Sequence, residues 1–284
     1  MVPEVEDGVG AVERKKAYFL SDMHLGASYL EDSRTAERRV VAFLDSIKED
    51  AAEIYLLGDV LDYWYEYRYV VPKGYVRFFG KLAELTDAGV RVVWLIGNHD
   101  IWIFDYLPSE LGVEVVDGVL DREILGRRIV MAHGDGVWQS SWRFSLLRGL
   151  FRSKVCQRLF AGIHPRWTVP FAYSWSRHSR HSGTPELIRR EAERCRRKSE
   201  GGGLPENVAR LRRFSEEYAG GHPGCGYFLY GHLHQLIRER MACGAEMIVL
   251  GEWLTLFSYA VFDGREMSLW RWHDGKPQQI QGSC

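Results

Sequence analysis

No stretch of this 284-residue chain approaches the roughly 20 consecutive apolar residues that a membrane-spanning helix needs, so any membrane contact is expected to be peripheral. Cysteine is scarce. Cys156, Cys195, Cys225, Cys243 and Cys284 are odd in number and show no C-x-x-C spacing, which excludes a thiolate zinc knuckle and fits free thiols in a reducing compartment. Residues 1–16 are polar, carry four acidic side chains and lack the apolar centre of a secretory signal, so the expected location is the cytosol. Internal repeats and low-complexity tracts are missing as well. The formal net charge is only −1, and a chain of this length with 46% hydrophobic residues has enough for one large α/β domain or a domain plus an insertion.

What is present is a set of polar motifs in fixed order: Asp22-x-His24, Gly58-Asp59, Gly97-Asn98-His99-Asp100, His133-Gly134-Asp135 and Gly231-His232-Leu233-His234. Each follows a short apolar run that reads as a buried strand. These runs are Ala17 to Leu20, Glu53 to Leu57, Arg91 to Ile96, Arg128 to Ala132 and Gly226 to Tyr230. In an open α/β sheet, ligands collect at the carboxyl ends of strands. A lone Asp-x-His or Gly-Asp arises by chance in many proteins, and a lone strand-end histidine is more often a hydrogen-bonded core residue. Five motifs in one order, using five of the ten histidines, are a different matter.

The residue types define the chemistry. An all-oxygen set would suit Mg²⁺ or Ca²⁺, whereas imidazole mixed with carboxylate and amide oxygen suits a transition-metal pair: Mn²⁺ first, Fe or Zn²⁺ as alternatives. Two such cations lower the pKa of water and neutralise phosphoryl oxygens, the two demands of phosphate ester hydrolysis.

The motif set resembles the calcineurin-like metallophosphoesterase superfamily, whose signatures are D-x-H, G-D, G-N-H-D, H-G and G-H-x-H. That resemblance implies an αββα sandwich of two mixed β-sheets flanked by helices. It also implies that one metal takes Asp22, His24, Asp59 and His234, and the other Asp59, Asn98, His133 and His232. Asp59 would bridge them. His99 would contact the scissile phosphate and protonate the leaving oxygen, with Asp100 as a carboxylate orienting His99. Within the superfamily, Ser21 to Gly26, Gly58 to Trp64 and Ala132 to Gly136 are similar to the UDP-2,3-diacylglucosamine diphosphatase family of the lipid A pathway. Its members release UMP and 2,3-diacylglucosamine 1-phosphate. Trp64 matches a tryptophan which that family keeps five residues after the bridging aspartate, and is a candidate substrate contact. Two departures stand out: the best-known branch has Arg in place of His99, and acidic residues where this chain reads Val137-Trp138-Gln139-Ser140-Ser141.

The near-zero net charge hides an asymmetry. From Arg143 to Tyr218 there are 17 Lys and Arg against 7 Asp and Glu, and the remainder has 20 against 31. This stretch lies between the fourth and fifth motifs, where one crossover helix would suffice, so residues 137–218 are expected to be a helical insertion or lid. Trp142 to Arg152 alternates apolar and basic residues, and Phe160, Ile163, Trp167, Phe171, Tyr173 and Trp175 continue the aromatic supply. Basic amphipathic helices of this kind suit a membrane interface. They equally suit a cover over an acylated phosphate substrate, although helices packed on a sheet are amphipathic in any case. Arg177 and Arg180 are the candidate contacts to a diphosphate or head group, while Glu191 to Lys198 and Gly201 to Gly203 read as a charged helix and turn.

The remaining expectations are architectural. The core should span 17–136 and 219–273, with tails at 1–16 and 274–284. Ser33 to Lys48 reads as a helix with Ser33 as N-cap and Val40, Val41, Phe43, Leu44 and Ile47 inward, and Tyr75 to Ala88 as another. The four segments Ile237 to Met241, Met247 to Leu250, Ser258 to Phe262 and Met267 to Trp272 read as antiparallel strands of the second sheet. The functional expectation is hydrolysis of a glycolipid nucleotide at the cytoplasmic face of the inner membrane. Other nucleotide-sugar, phosphomonoester or phosphodiester hydrolysis is the alternative. A nucleic acid partner is not expected, because the acidic body would repel a polyanion, and the oligomeric state is open. A non-catalytic scaffold on this fold would be expected to have lost ligands.

Overall fold

The computed structural model describes residues 14–27, 32–137, 146, 149–179 and 205–280, without the side chains of 172, 173 and 175–179. The expectations placed on Trp138 to Ser141, Trp142 to Ser145, Arg180, Glu191 to Lys198 and Gly201 to Gly203 lie outside the described residues.

Strand alternation builds the layers. In β1 (Lys16–Leu20) and β2 (Ala51–Leu57), Tyr18, Leu20, Ile54 and Leu56 face one core cluster, and Ala17, Phe19, Tyr55 and Leu57 face another. Side chains of period two on a strand buried from both sides must do this. The first cluster lies beneath α1 (Ser33–Ile47) and α2 (Val76–Asp87). The second lies between two sheets. There, Ile129 and Met131 of β6 (Arg127–Ala132) and Tyr227 and Leu229 of β7 (Cys225–Tyr230) meet the first sheet. Their neighbours Val130, Ala132, Phe228 and Tyr230 turn outward to a third cluster, which Val208 and Leu211 of a helix at Glu206–Gly221 cover.

The result is helix, sheet, sheet, helix. In the seven-stranded sheet, β3 (Arg91–Leu95) and β4 (Glu114–Val116) extend β1 and β2 in parallel, and β10 (Ser258–Phe262), β11 (Met267–His273) and β12 (Lys276–Gln279) add antiparallel to β1. The five-stranded sheet runs β5 (Leu120–Ile124), β6, β7, β9 (Glu246–Leu250), β8 (Leu236–Arg240). Strands β6, β7 and β9 are parallel and the two edge strands antiparallel. Both sheets are mixed, as expected from the resemblance.

Several local expectations change. The four C-terminal strands do not build one sheet together: β8 and β9 join the second, and β10 and β11 return to the first. Residues 274–284 include β12, paired with β11. The α1 N-cap is Asp32 rather than Ser33, its carboxylate accepting from Thr35 N at 3.2 Å, and buried Glu37 shares the inner stripe while Val41 is only partly buried. That carboxylate accepts Arg77 N and Phe78 N at 2.8 and 3.1 Å, ending orphan donors of the α2 N-terminus.

The middle of the chain has a short helix, α3 (Tyr106–Leu111), then α4 (Lys154–Ala161), α5 (Pro165–Ser179) and α6 (Glu206–Gly221). Helix α6 is the crossover that a parallel β6 to β7 connection requires, buried against the sheet, with Ser215 Oγ 2.8 Å from Tyr230 OH. Helices α4 and α5 are additional to it. No helix among the described residues is long and apolar enough to cross a membrane.

Candidate metal centre

All five motifs follow the carboxyl ends of β1, β2, β3, β6 and β7, in adjacent positions across the two sheets. Turns there are tight enough to force unusual backbone. Nine described non-glycine residues have positive φ, and five are Asp22, His24, Asp59, His232 and His234, with φ between 44° and 66°. Left-handed backbone costs an L-residue on the order of 1–2 kcal/mol, and such strain gathers at functional sites. Two glycines make the approach possible. A Cβ on Gly231 would lie 1.8 Å from Ser21 Oγ and 2.6 Å from Asp22 Oδ2, and one on Gly97 would lie 2.3 Å from Asp59 Oδ1.

The side chains converge. Nε2 of His24 lies 3.2 Å from Nε2 of His234, 3.7 Å from Asp22 Oδ1 and 3.8 Å from Asp59 Oδ2. His234 Nε2 is 3.3 Å from Asp22 Oδ1. On the other flank, His133 Nε2 is 3.3 Å from Asp59 Oδ2 and 3.2 Å from Asn98 Oδ1. Three overlapping groups of mutually close donors result among the described residues: Asp22 with His24 and His234, Asp59 with His133 and His232, and Asp59 with His24 and His99. Asp59 belongs to the last two.

The supports are backbone groups. Asp22 Oδ2 accepts from His232 N at 2.8 Å and from Ser21 Oγ, while Asp22 Oδ1 is buried with no hydrogen-bond partner. A buried carboxylate oxygen left unpaired is costly, and here it points among imidazole nitrogens, the arrangement a cation would satisfy. His133 Nδ1 donates to Leu57 O at 2.8 Å, so its Nε2 is the ligand nitrogen. Asp59 Oδ1 accepts His99 N at 2.8 Å, leaving Oδ2 inward.

Charge balance follows the same geometry. Burial would raise the Asp22 carboxyl, but His234, His24 and His133 overcome it and hold Asp22 well below the usual carboxylate range. Burial opposes Asp59 similarly, and His133, His99 and His24 pull it well below its ordinary value. Both carboxylates are ionised at neutral pH. Burial and the charge of neighbouring His133 push His232 down, as a neutral imidazole ligand requires.

The other expected site residues fall differently. His99 stands at the rim of the cluster, its ring 5.0 Å from that of His24, but Asp100 does not orient it. Asp100 is fully buried and turns away, accepting Gly97 N at 2.7 Å, Val60 N at 2.9 Å and Trp94 Nε1 at 3.1 Å. Burial and the Asp59 charge raise it to about 6. It staples the turn that carries Asn98 and His99. The group beside His99 is Asp62, whose carbonyl oxygen is 2.9 Å from His99 Nδ1 and whose Oδ1 lies 3.7 Å from it and 3.6 Å from His24 Nδ1. Asp62 lies three residues after Asp59 in the sequence, outside the ligand motifs. Trp64 is also not a substrate contact: it is fully buried among Tyr75, Phe79 and Tyr106, with Nε1 donating to Glu66 Oε1 at 3.0 Å. Arg177 lies on α5 with its side chain outside the described atoms, and Arg180 is outside the described residues.

The added helices are held to the core next to His99. Tyr65 OH donates to Gln157 O at 2.6 Å, Trp102 Nε1 to Phe151 O at 2.8 Å, and Phe160 packs on the rings of both Tyr65 and Trp102 at 4.9 Å. Val155, Leu159, Ile163, Trp167 and Phe171 remain exposed.

A model of the calcineurin-like phosphoesterase family matches residues 15–236, a range that contains every motif above. The chain belongs to this family. Among curated relatives of this phosphoesterase, a UDP-2,3-diacylglucosamine hydrolase of Porphyromonas gingivalis is 40% identical over 266 residues, covering 90% of this chain and 97% of its own. One of the same name from Ralstonia nicotianae is 27% identical over 83% of each chain. Among solved structures, an archaeal phosphodiesterase matches at 12% identity and a TM-score of 0.43, over 93% of this chain and 99% of its own.

Proposed function

We propose that this phosphoesterase hydrolyses the pyrophosphate of UDP-2,3-diacylglucosamine, giving UMP and 2,3-diacylglucosamine 1-phosphate, a step of the lipid A pathway. The observation that carries the substrate is the 40% identity to the P. gingivalis hydrolase across nearly the full length of both chains. The chemistry rests on the ligand cluster around Asp59.

Asp22, His24, Asp59 and His234 would hold one divalent cation, and Asp59, Asn98, His133 and His232 the other. The mixed nitrogen and oxygen set favours Mn²⁺, with Fe and Zn²⁺ accepted by the same donors. When bound, the pair supplies an acidified water and charge neutralisation at the phosphoryl group. The chain's own residues do the rest. Hydrogen bonds from His232 N and Ser21 Oγ fix the Asp22 plane, and that from His99 N fixes Asp59. His99 Nδ1–H donating to Asp62 O leaves Nε2 as the nitrogen that carries or releases a proton. An imidazole so placed is the kind of group that can supply a proton to a leaving phosphate. The exposed apolar side chains of α4 and α5, tied to the core through Tyr65, Tyr67 and Trp102, suit the acyl chains, and with their basic neighbours they suit the cytoplasmic surface of a membrane where such a substrate resides.

The test is mass spectrometry of products after Mn²⁺-loaded protein acts on UDP-2,3-diacylglucosamine in H₂¹⁸O. The expected result is UMP carrying ¹⁸O together with the acylated sugar phosphate, and faster turnover than on unacylated UDP-N-acetylglucosamine. No turnover of the acylated substrate, with a simple phosphodiester still cleaved, would move the search to other phosphate esters.

A further inference from the structure

A second surface outside the metal centre combines exposed apolar side chains with basic ones. The segment from Tyr67 to Arg77 leaves the core directly after Asp62 and the buried Trp64, and its tip exposes Tyr69 by 83% and Val70 by 53%. Val76, at the start of α2, is 75% exposed. Side chains of this size in water at one loop are unusual unless a partner covers them. The sequence from Tyr67 to Ala83 has no acidic residue; Arg77 and Lys81 on α2 pair with Glu37, Asp45 and Glu84, so the cations of the loop itself are Arg68 and Lys73. Arg68 and Lys73 are exposed, and the Arg68 guanidinium lies 5.1 Å from the Tyr69 ring.

The loop is joined to the added helices. Tyr67 OH hydrogen-bonds Thr168 Oγ1 on α5, next to exposed Trp167 and one turn before exposed Phe171. The rings of Tyr67 and Tyr65 are 4.6 Å apart, and Tyr65 bonds α4. The region from Gly136 to Pro185 likewise contains no Asp or Glu, and Lys154, Arg158 and Arg166 are exposed there. Among the described residues, the loop and helices α4 and α5 thus form adjoining surfaces that expose apolar side chains beside Arg68, Lys73, Lys154, Arg158 and Arg166.

We infer that the Arg68–Lys73 loop is a core-borne anchor for an anionic lipid surface, engaging the bilayer together with α4 and α5. An amphipathic surface that sets Arg68 and Lys73 beside aromatic and aliphatic side chains fits the headgroup boundary, and cations near an anionic leaflet add attraction. The chain leads from this loop straight back to Asp62 beside His99, so lipid contact would set the mouth of the metal centre at the membrane, where an acylated substrate arrives. The inference rests on the membrane-surface part of the proposed function.

The experiment is vesicle co-flotation of the full-length protein with phosphatidylglycerol-containing and pure phosphatidylcholine vesicles. The variants are Arg68→Gln/Lys73→Gln, Tyr69→Ser/Val70→Ser and, separately, Trp167→Ser/Phe171→Ser, with cleavage of bis(p-nitrophenyl) phosphate reporting that the two loop variants are folded. Expected are roughly fivefold weaker binding to the anionic vesicles per cation removed, and about tenfold weaker binding to both kinds for the Tyr69/Val70 variant. Loop variants that bind like wild type while the Trp167/Phe171 variant does not would overturn the inference and leave α4 and α5 as the membrane contact. A wild type that ignores both vesicles would overturn the inference and the membrane placement, without touching the hydrolase reading if dispersed substrate is still cleaved. A dimer that the loop variants dissociate, with vesicle binding unchanged, would assign the patch to contact between copies and overturn it too.

Discussion

The metal centre and the added helices adjoin each other yet are built by opposite rules. In the centre, buried carboxylates and imidazoles lie within 4 Å of one another on strained turns, with Asp22, Asp59 and His133 fixed by backbone hydrogen bonds. In α4, no residue is buried, and the helix is held by a few contacts of its Gln157 and Phe160 with Tyr65 and Trp102 while Val155 and Leu159 face outward. The first region spends stability to hold charge in place, and the second leaves apolar area unpaired. That contrast separates chemistry from substrate capture, and substitutions in each should fail differently.

Asp59→Asn should have the largest effect, because one carboxylate serves both ligand groups: activity on any phosphoester should fall on the order of 10⁴-fold, and bound metal per chain should fall with it. Asp100→Ala would strand the N–H donors of Val60, Trp94 and Gly97. The expected cost is about 4 kcal/mol in denaturant unfolding, and less than 1 kcal/mol would refute its role as a staple. His99→Ala should lower kcat about 10³-fold with metal content unchanged, a result that separates proton transfer from metal holding. Asp62→Asn should lower kcat about tenfold, with KM for small diesters little changed. Smallest is Leu159→Ser/Trp167→Ser, which should raise KM for the diacylated substrate several-fold and leave cleavage of bis(p-nitrophenyl) phosphate intact. Equal losses on both substrates would erase the distinction between the regions.

The same contrast governs what the amino-acid sequence reveals. Strands β1, β2, β3, β6 and β7 end in four apolar residues buried on both faces, and each is legible in the sequence to within two residues. Metal chemistry restricts residue type at fixed spacing, so the seven candidate ligands could be picked out together. Orientation was harder. Asp100 follows His99 in the chain, yet the turn sends the two side chains opposite ways, and the closer carboxylate, Asp62, comes from a different strand end. Sheet membership of β10 and β11 depends on pairing with β1, more than two hundred residues away, which local alternation does not encode. Trp64 was read through family position, whereas its surroundings, with the indole N–H satisfied by Glu66, make it core. The exposed loop at Tyr69 and Val70 resembles any turn until its exposure and its tie to Thr168 are known.

The most direct test of the central claim is anomalous diffraction from crystals grown with Mn²⁺. The account predicts two peaks per chain, one among Asp22, His24 and His234, the other among Asn98, His133 and His232, with Asp59 in contact with both. A single peak, or two that share no carboxylate, would contradict it.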